Sequence, residues 1–216
     1  IKEIESWRDS PIKYYQNRWR VMGQGKLGIP EGAVFTDWEA IDELPTHLTY
    51  RYLIDYGHNI DPCSISKISH EGEYLYAKNI CYKTGMTPLD IAKFLHDYGI
   101  KPSETVLCDP GGGGNIVISV LRNVDGSLSH APNYPNLSQG FNISPVIKGQ
   151  GSIEVGIGLV SQYRVFITKD SPSAWFEFTN YVRKKETSGE FGDPIDKHNH
   201  FSDNLRGYVL SRGRLF

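Results

Sequence analysis

Three segments with alternating polarity constrain this chain more than any other feature: residues 48–57 (LTYRYLIDYG), 62–69 (PCSISKIS) and 73–85 (EYLYAKNICYKTG), the first and third of them rich in aromatics. Alternation at period two sends successive side chains to opposite faces of a strand. A link as short as Glu71-Gly72 joins antiparallel neighbours. The stretch therefore predicts an antiparallel meander. Residues 87–100 then change period: Leu89, Ala92, Phe94, Leu95 and Tyr98 fall at helical spacing, with Thr87 as N-cap, Pro88 at the first helical position and Gly99 as the stop. Further on, a buried-type strand is expected at 104–109, a short helix in NIVISVLRN after the glycines 111–114, a strand in SPVIKG (144–149), a helix over 151–163 and a strand over 164–169. A helix over 171–185, a polar loop over 185–197 and a last helix from about Asn199 complete the series. A meander followed by alternating helix and strand implies an α/β fold, a mixed sheet covered on both faces.

Residues 1–47 carry turn signals (Asp9-Ser10-Pro11, Pro30-Glu31-Gly32) and scattered aromatics without a sustained period. They read as an extended arm or linker ahead of a domain spanning 48–216, and the start at Ile1 reads as an entry into a longer protein. GQGKLG (23–28) has a phosphate-loop flavour, but Leu27 stands where such a loop needs a magnesium-binding Ser or Thr, so a Gly-rich turn is expected. At 216 residues the chain can bury a substantial core. No apolar run approaches the ~18 residues that span a bilayer, and no signal peptide opens the chain, so no membrane association and an intracellular site are expected. Cys63, Cys81 and Cys108, at long spacings in apolar stretches, read as small core residues rather than zinc ligands or disulfide partners. A formal net charge of −2 gives no global basic signature, so any DNA binding must come from a local patch or from metal ions.

Carboxylates mark the boundaries of these elements. Asp55 ends the first strand and Asp109 ends the strand TVLCD, just before four glycines. Strand ends are where α/β sites collect, and two such ends side by side would bring together like charges that need a cation. On the last helix Phe201, Leu205 and Val209 mark the core face, whereas His200, Asp203 and Arg206 or Gly207 form another stripe. Asp203 is thus a third leg of a possible oxygen-rich site, suited to magnesium or manganese rather than zinc. Two such ions serve phosphodiester hydrolysis. The plainer alternative stays open on spacing alone: a single Asp at a strand end is commonly a turn former, and a polar helix stripe is commonly a solvated face.

The ordered set IDYGHNIDPCSI, VLCDPGGGGN, VIKGQGSIEVGIGLV, FITKDSPSAWFEFTNYVRKK and DKHNHFSDNLRGYVL resembles the C-terminal nuclease domain of the large terminase subunit of tailed bacteriophages. The upstream EGAVFTDWEAIDELP resembles the segment linking the packaging ATPase to that nuclease, so the likeness runs over about residues 30–212. The resemblance implies a ribonuclease-H-like fold, two Mg2+ or Mn2+ ions and a metal-dependent endonuclease that cuts concatemeric viral DNA during genome packaging. It makes Asp55, Asp109 and Asp203 the metal-binding acids, with His200 as a further ligand or proton carrier. Lys148, in the Lys-Gly block, would hold a DNA phosphate or the surroundings of the attacking water. Asp61 is either an outer ligand or a turn residue before Pro62.

Double-stranded DNA is the implied partner, with the portal and the small terminase subunit reached through the full-length protein. The setting would be the packaging complex in the host cytoplasm, and the isolated domain would be monomeric. No Walker A motif is present, so an ATPase would lie before Ile1. Two departures stand out: Gly207 separates Arg206 from Tyr208 where the family has Arg-Tyr, and the glycine run after Asp109 is looser than usual. Arg183, Lys184, Arg206, Arg212 and Arg214 are candidate DNA-facing cations. The literal HNH at 198–200 is a chance triplet, because a ββα-metal nuclease spreads its His and Asn over a hairpin and helix. Rival readings are a junction resolvase, a transposase-type nuclease and a non-catalytic DNA or portal docking module.

Overall fold

The computed structural model describes residues 5–6, 8–11, 17, 19, 28–57, 60–123 and 140–212. Residues 23–27 of the Gly-rich turn, most of the 123–144 loop and Arg214 lie outside the described residues. The chain groups into two compact units, residues 37–177 with 199–216, and residues 1–36 with 178–198.

The first unit is built on a seven-stranded sheet of β1 (Trp38–Ile41), β2 (Arg51–Asp55), β3 (Pro62–Glu71), β4 (Tyr74–Thr84), β5 (Val106–Cys108), β6 (Ile143–Pro145) and β7 (Arg164–Thr168), ordered β1-β7-β4-β3-β2-β5-β6. The meander is present: β2 and β4 both pair antiparallel with β3. The other pairings, β2 with β5, β5 with β6, β4 with β7 and β1 with β7, are parallel. Parallel pairing of β2, β5 and β6 puts their C-terminal ends on one edge of the sheet, and the site is there.

Strand alternation divides the core between two faces. Tyr52 and Ile54 of β2 join Cys63 and Ile65 of β3 in a cluster with Ile91, Ala92 and Leu95 of α1 (Pro88–Asp97) and with Val117 and Leu121 of α2 (Gly114–Arg122). Thr87 and Asp90 form a reciprocal capping box at the start of α1, as its sequence leads one to expect. On the opposite face lies α5 (His200–Ser211), whose Asn204 donates to the Ser64 carbonyl (3.1 Å) and to the Ser66 hydroxyl (3.0 Å). A helix can settle this close only where side chains are small. A Cβ on Gly207 would meet Val146 at 3.1 Å and Leu53 at 3.3 Å. Against α5 packs α3 (Ser152–Val160), where a Cβ on Gly156 would stand 2.9 Å from the Cβ of Arg206.

The elements differ from expectation in three places. β1 comes from the stretch read as an arm: four residues are too few to show alternation, and the strand is held by parallel pairing with β7 and by Trp38, which meets Trp175 edge-on at 5.0 Å. The helix expected over 171–185 is α4 (Pro172–Asn180) and stops five residues short. The polar loop expected at 185–197 instead contains β9 (Phe191–Pro194), paired antiparallel with β8 (Arg183–Lys185).

These last strands belong to the second unit, and tertiary pairing explains them. Val34 N–H donates to the Tyr181 carbonyl (3.0 Å), Arg183 N–H donates to the Gly32 carbonyl (2.8 Å), and Ala33 bridges Val182. Phe35 stacks on Phe178 at 5.0 Å. Pairing with a distant segment overrides the helix preference of Arg-Lys-Lys. Among the described residues no helix is long and apolar enough to cross a membrane.

The turn from β5 into α2 leaves no room for a side chain at its last glycine. Gly113 has φ +98°, in the left-handed region, and a Cβ on Gly114 would lie 1.7 Å from the Asp109 carbonyl oxygen. Gly114→Ala is expected to destabilise the domain by about 2 kcal/mol or more in urea denaturation, because backbone rather than a flexible side chain must move. Gly149→Ala, whose Cβ would meet nothing within 4 Å, is the control and should change little. Equal stabilities for the two variants would contradict this packing.

Candidate metal centre

β2 and β5 run parallel with Ile54 opposite Cys108, and the Asp109 N–H donates to the Ile54 carbonyl at 2.9 Å. Asp55, the last residue of β2, and Asp109, the first after β5, therefore leave the same edge side by side. The opposite-face helix α5 adds Asp203. One carboxylate oxygen from each of Asp55, Asp109 and Asp203 can be chosen so that all three lie within 4.8 Å of one another. The sequence pattern anticipated this meeting. Their side chains are only 15%, 14% and 17% exposed, so water screens their mutual repulsion weakly.

Cationic groups offset part of that repulsion. Lys148, in the loop after β6, forms an ion pair with Asp109, and Arg206, one turn on from Asp203, pairs with that carboxylate. Asp109 also accepts the Gly111 N–H at 2.9 Å, so the glycine run fixes this carboxylate. Burial pushes the Asp203 carboxyl up to about 7; Arg206 pulls against it, and the like charges of Asp55 and Asp109 add to the rise. A site that resists ionisation in this way, with only oxygen donors, fits a hard divalent cation.

His200 Nδ1 lies 2.7 Å from Asp55 Oδ2. With Asp55 ionised the imidazole is the donor, which leaves Nε2 as its second functional atom. Burial works to lower the pKa of His200, but the hydrogen bond to Asp55 and the carboxylates of Asp55, Glu177 and Asp203 outweigh it, so the net direction is upward. Tyr82 meets the imidazole edge-on, with ring centroids 6.2 Å apart.

Other candidates resolve differently. Arg206 is no DNA-facing cation: it is buried against Gly156 and paired with Asp203. Arg212 lies over the ring of Tyr163, 5.8 Å from its centroid. In the second unit Arg183 donates to the Gly192 carbonyl at 3.2 Å, while Lys184 is exposed. Asp61 is exposed and lies outside the carboxylate cluster. Tyr208, displaced by Gly207 from the Arg-Tyr pattern, is buried and its hydroxyl lies 2.7 Å from His70 Nδ1. The last helix has no solvated polar face in its middle, since residues 204–209 are all buried. Cys63 and Cys108 are buried and Cys81 half-buried, all as free thiols.

Glu177 of α4 escaped the sequence reading. It is fully buried, accepts the Tyr82 hydroxyl at 2.9 Å and the Phe201 N–H at 2.5 Å, and burial raises its pKa. Its only sequence signal is a carboxylate between aromatics in AWFEF, which a surface helix shares.

A cation should bind more strongly once Asp203 ionises. In the folded, metal-free protein Asp203 keeps its proton to about pH 7, whereas the unfolded chain loses it near the ordinary value of 3.8. Folded-state stability from this group is therefore lost as the pH rises between those values, and a cation on the ionised carboxylate restores it. The Mn2+-induced rise in Tm should grow between about pH 5 and about pH 7 and level off above about 7 in differential scanning calorimetry. A rise that is constant or shrinks over that interval would contradict the role of burial at Asp203.

No protein-family model and no curated protein matches the sequence. Solved structures do. The chain matches the large terminase nuclease domain of bacteriophage SPP1, solved with bound Mn, at TM-score 0.63 and 19% identity, over 83% of this chain and 98% of that one. The nuclease domain of the large terminase of phage P22 matches at TM-score 0.57 and 16% identity, over 85% and 93% of the two chains. A large terminase from a thermophilic bacteriophage matches at TM-score 0.58 and 17% identity, over 96% of this chain but 51% of that one, so the chain spans about half of that protein. The mixed sheet, its helices on both faces and these likenesses give the chain the ribonuclease-H-like fold of phage large-terminase nuclease domains.

Proposed function

We propose that this chain is the nuclease domain of a phage large terminase, a divalent-metal-dependent endonuclease that cuts concatemeric double-stranded viral DNA during genome packaging. The observation that carries the reading is the meeting of Asp55, Asp109 and Asp203 at one sheet edge, on a fold shared with a terminase nuclease domain solved with Mn. Asp55, Asp109 and Asp203 would hold two Mg2+ or Mn2+ ions, with His200 Nε2 as a further ligand or proton carrier. Bound ions of this kind polarise a phosphate, lower the pKa of water and stabilise the leaving 3′ oxygen.

The chain's own groups supply the rest. Lys148 exchanges its pairing with Asp109 for a DNA phosphate, bringing one compact positive charge to the backbone that is cut. His200, held at Nδ1 by Asp55, moves a proton at Nε2. Arg206 keeps Asp203 aimed at the cluster from within the protein. The wider setting would be a full-length terminase with an ATPase domain, met by the portal and the small terminase subunit in the host cytoplasm. The shared fold and the 51% span of a longer terminase support this wider placement.

Cleavage of supercoiled plasmid with Mn2+ or Mg2+ tests the reading. Asp55→Asn should lower the rate by at least about 100-fold while the protein stays folded, since one of the three carboxylates that would hold the ions is lost. Lys148→Ala should weaken DNA binding and reduce the slope of log affinity against log salt by about one. Metal-independent cleavage, or an Asp55→Asn variant as active as the wild type, would sink the nuclease reading. A strong preference for four-way junctions would point to a resolvase instead.

A further inference from the structure

We infer that Glu177 is the positioning residue that aims the first turn of α5, and with it His200 and Asp203, at the carboxylate pair on the sheet. The inference rests on the proposed metal site and goes beyond its ligands. α5 begins without a cap of its own: Asn199 makes no side-chain capping hydrogen bond. The first turn of a helix has N–H groups without intrahelical partners, and it carries partial positive charge. Glu177, from a different helix, accepts the Phe201 N–H and so caps α5 from outside.

Phe201 follows His200 directly and precedes Asp203 by two residues, so the bond is made within the turn that presents both side chains. The second Glu177 oxygen accepts the Tyr82 hydroxyl at 2.9 Å, and the Tyr82 ring in turn stands edge-on to His200. Both oxygens are thus used, one on the backbone of the ligand-bearing helix and one on the residue flanking its imidazole. Glu177 is 0% exposed, so no surface of it is open to solvent. A buried carboxylate needs such partners to be tolerated, and an apolar residue would fill the same volume at less cost. Its presence is explained by the aim it gives to α5.

The test compares Glu177→Ala, which removes both acceptors, with Glu177→Gln, which keeps one oxygen for the Phe201 N–H. Mn2+ affinity is read by calorimetry, the His200 ring signal by NMR of the metal-free protein (assigned with His200→Ala), and cleavage as kcat and KM. Glu177→Ala should lose about tenfold or more in Mn2+ affinity and in kcat, as outer partners of metal ligands do. The KM for DNA should stay unchanged and the metal-free His200 signal should shift. Glu177→Gln should recover affinity and kcat to within about threefold of wild type, because the backbone acceptor is restored. A folded Glu177→Ala protein with wild-type Mn2+ affinity and an unshifted His200 signal would overturn the inference, as would equal losses in the two variants.

If Glu177→Ala does not fold, Tyr82→Phe decides. It releases one Glu177 oxygen and keeps the ring, so Mn2+ affinity should fall several-fold, and a wild-type value would overturn the inference. The Mn2+ and NMR measurements need no cleavage, so a wild-type protein that binds Mn2+ but cuts no DNA would count against the nuclease reading alone.

Discussion

Like-charge repulsion among three half-enclosed carboxylates is the constraint around which this domain is arranged. Carboxylate groups of one sign, within 4.8 Å and weakly screened, do not gather unless the backbone forces them together. Two of the three are forced by the parallel pairing of β2 with β5, which fixes Asp55 and Asp109 side by side at one edge. The ion pairs with Lys148 and Arg206 and the hydrogen bond from His200 offset part of the repulsion within the protein. What remains is expressed as the reluctance of Asp203 to ionise, with burial the larger cause.

The third carboxylate depends on how α5 is held. This helix is buried through the middle of its length, and it approaches the sheet through Gly207 and its neighbour α3 through Gly156. Polar contacts then fix its rotation, with Asn204 donating to β3 and Glu177 receiving its first turn. Rotation of a helix by one residue moves a side chain by about 100° around the axis. Small changes in these contacts therefore bear directly on whether Asp203 faces the sheet edge or turns away from it.

Much of this was legible in the amino-acid order because the meander and the strand-end acids follow local rules. The alternation over 48–85 corresponds to β2 to β4, and the break from strand to glycines after Asp109 marks the second acid. The i, i+3 spacing of His200 and Asp203 set them on one side of a helix. What stayed hidden depends on distant partners. β1 is too short to show a period, and the Arg-Lys-Lys of β8 reads as helix until Gly32 and Ala33 pair beside it. Arg206 looks like a surface cation because no local pattern says that Gly156 makes room for its stem. Glu177 has the same difficulty: its value lies in Tyr82 and Phe201, separated from it by 95 and 24 residues.

The proposed nuclease stands on Asp55, Asp109 and Asp203 forming one binding site for divalent ions. Anomalous diffraction at the manganese edge, from crystals of the domain soaked in Mn2+, tests it most directly. Anomalous peaks are expected between the three carboxylates, with Mn–O distances near those of hard-cation sites, at about 2.0–2.6 Å. Peaks only elsewhere on the surface, or a Mn2+-free carboxylate cluster in crystals that hold Mn2+ at other positions, would contradict it.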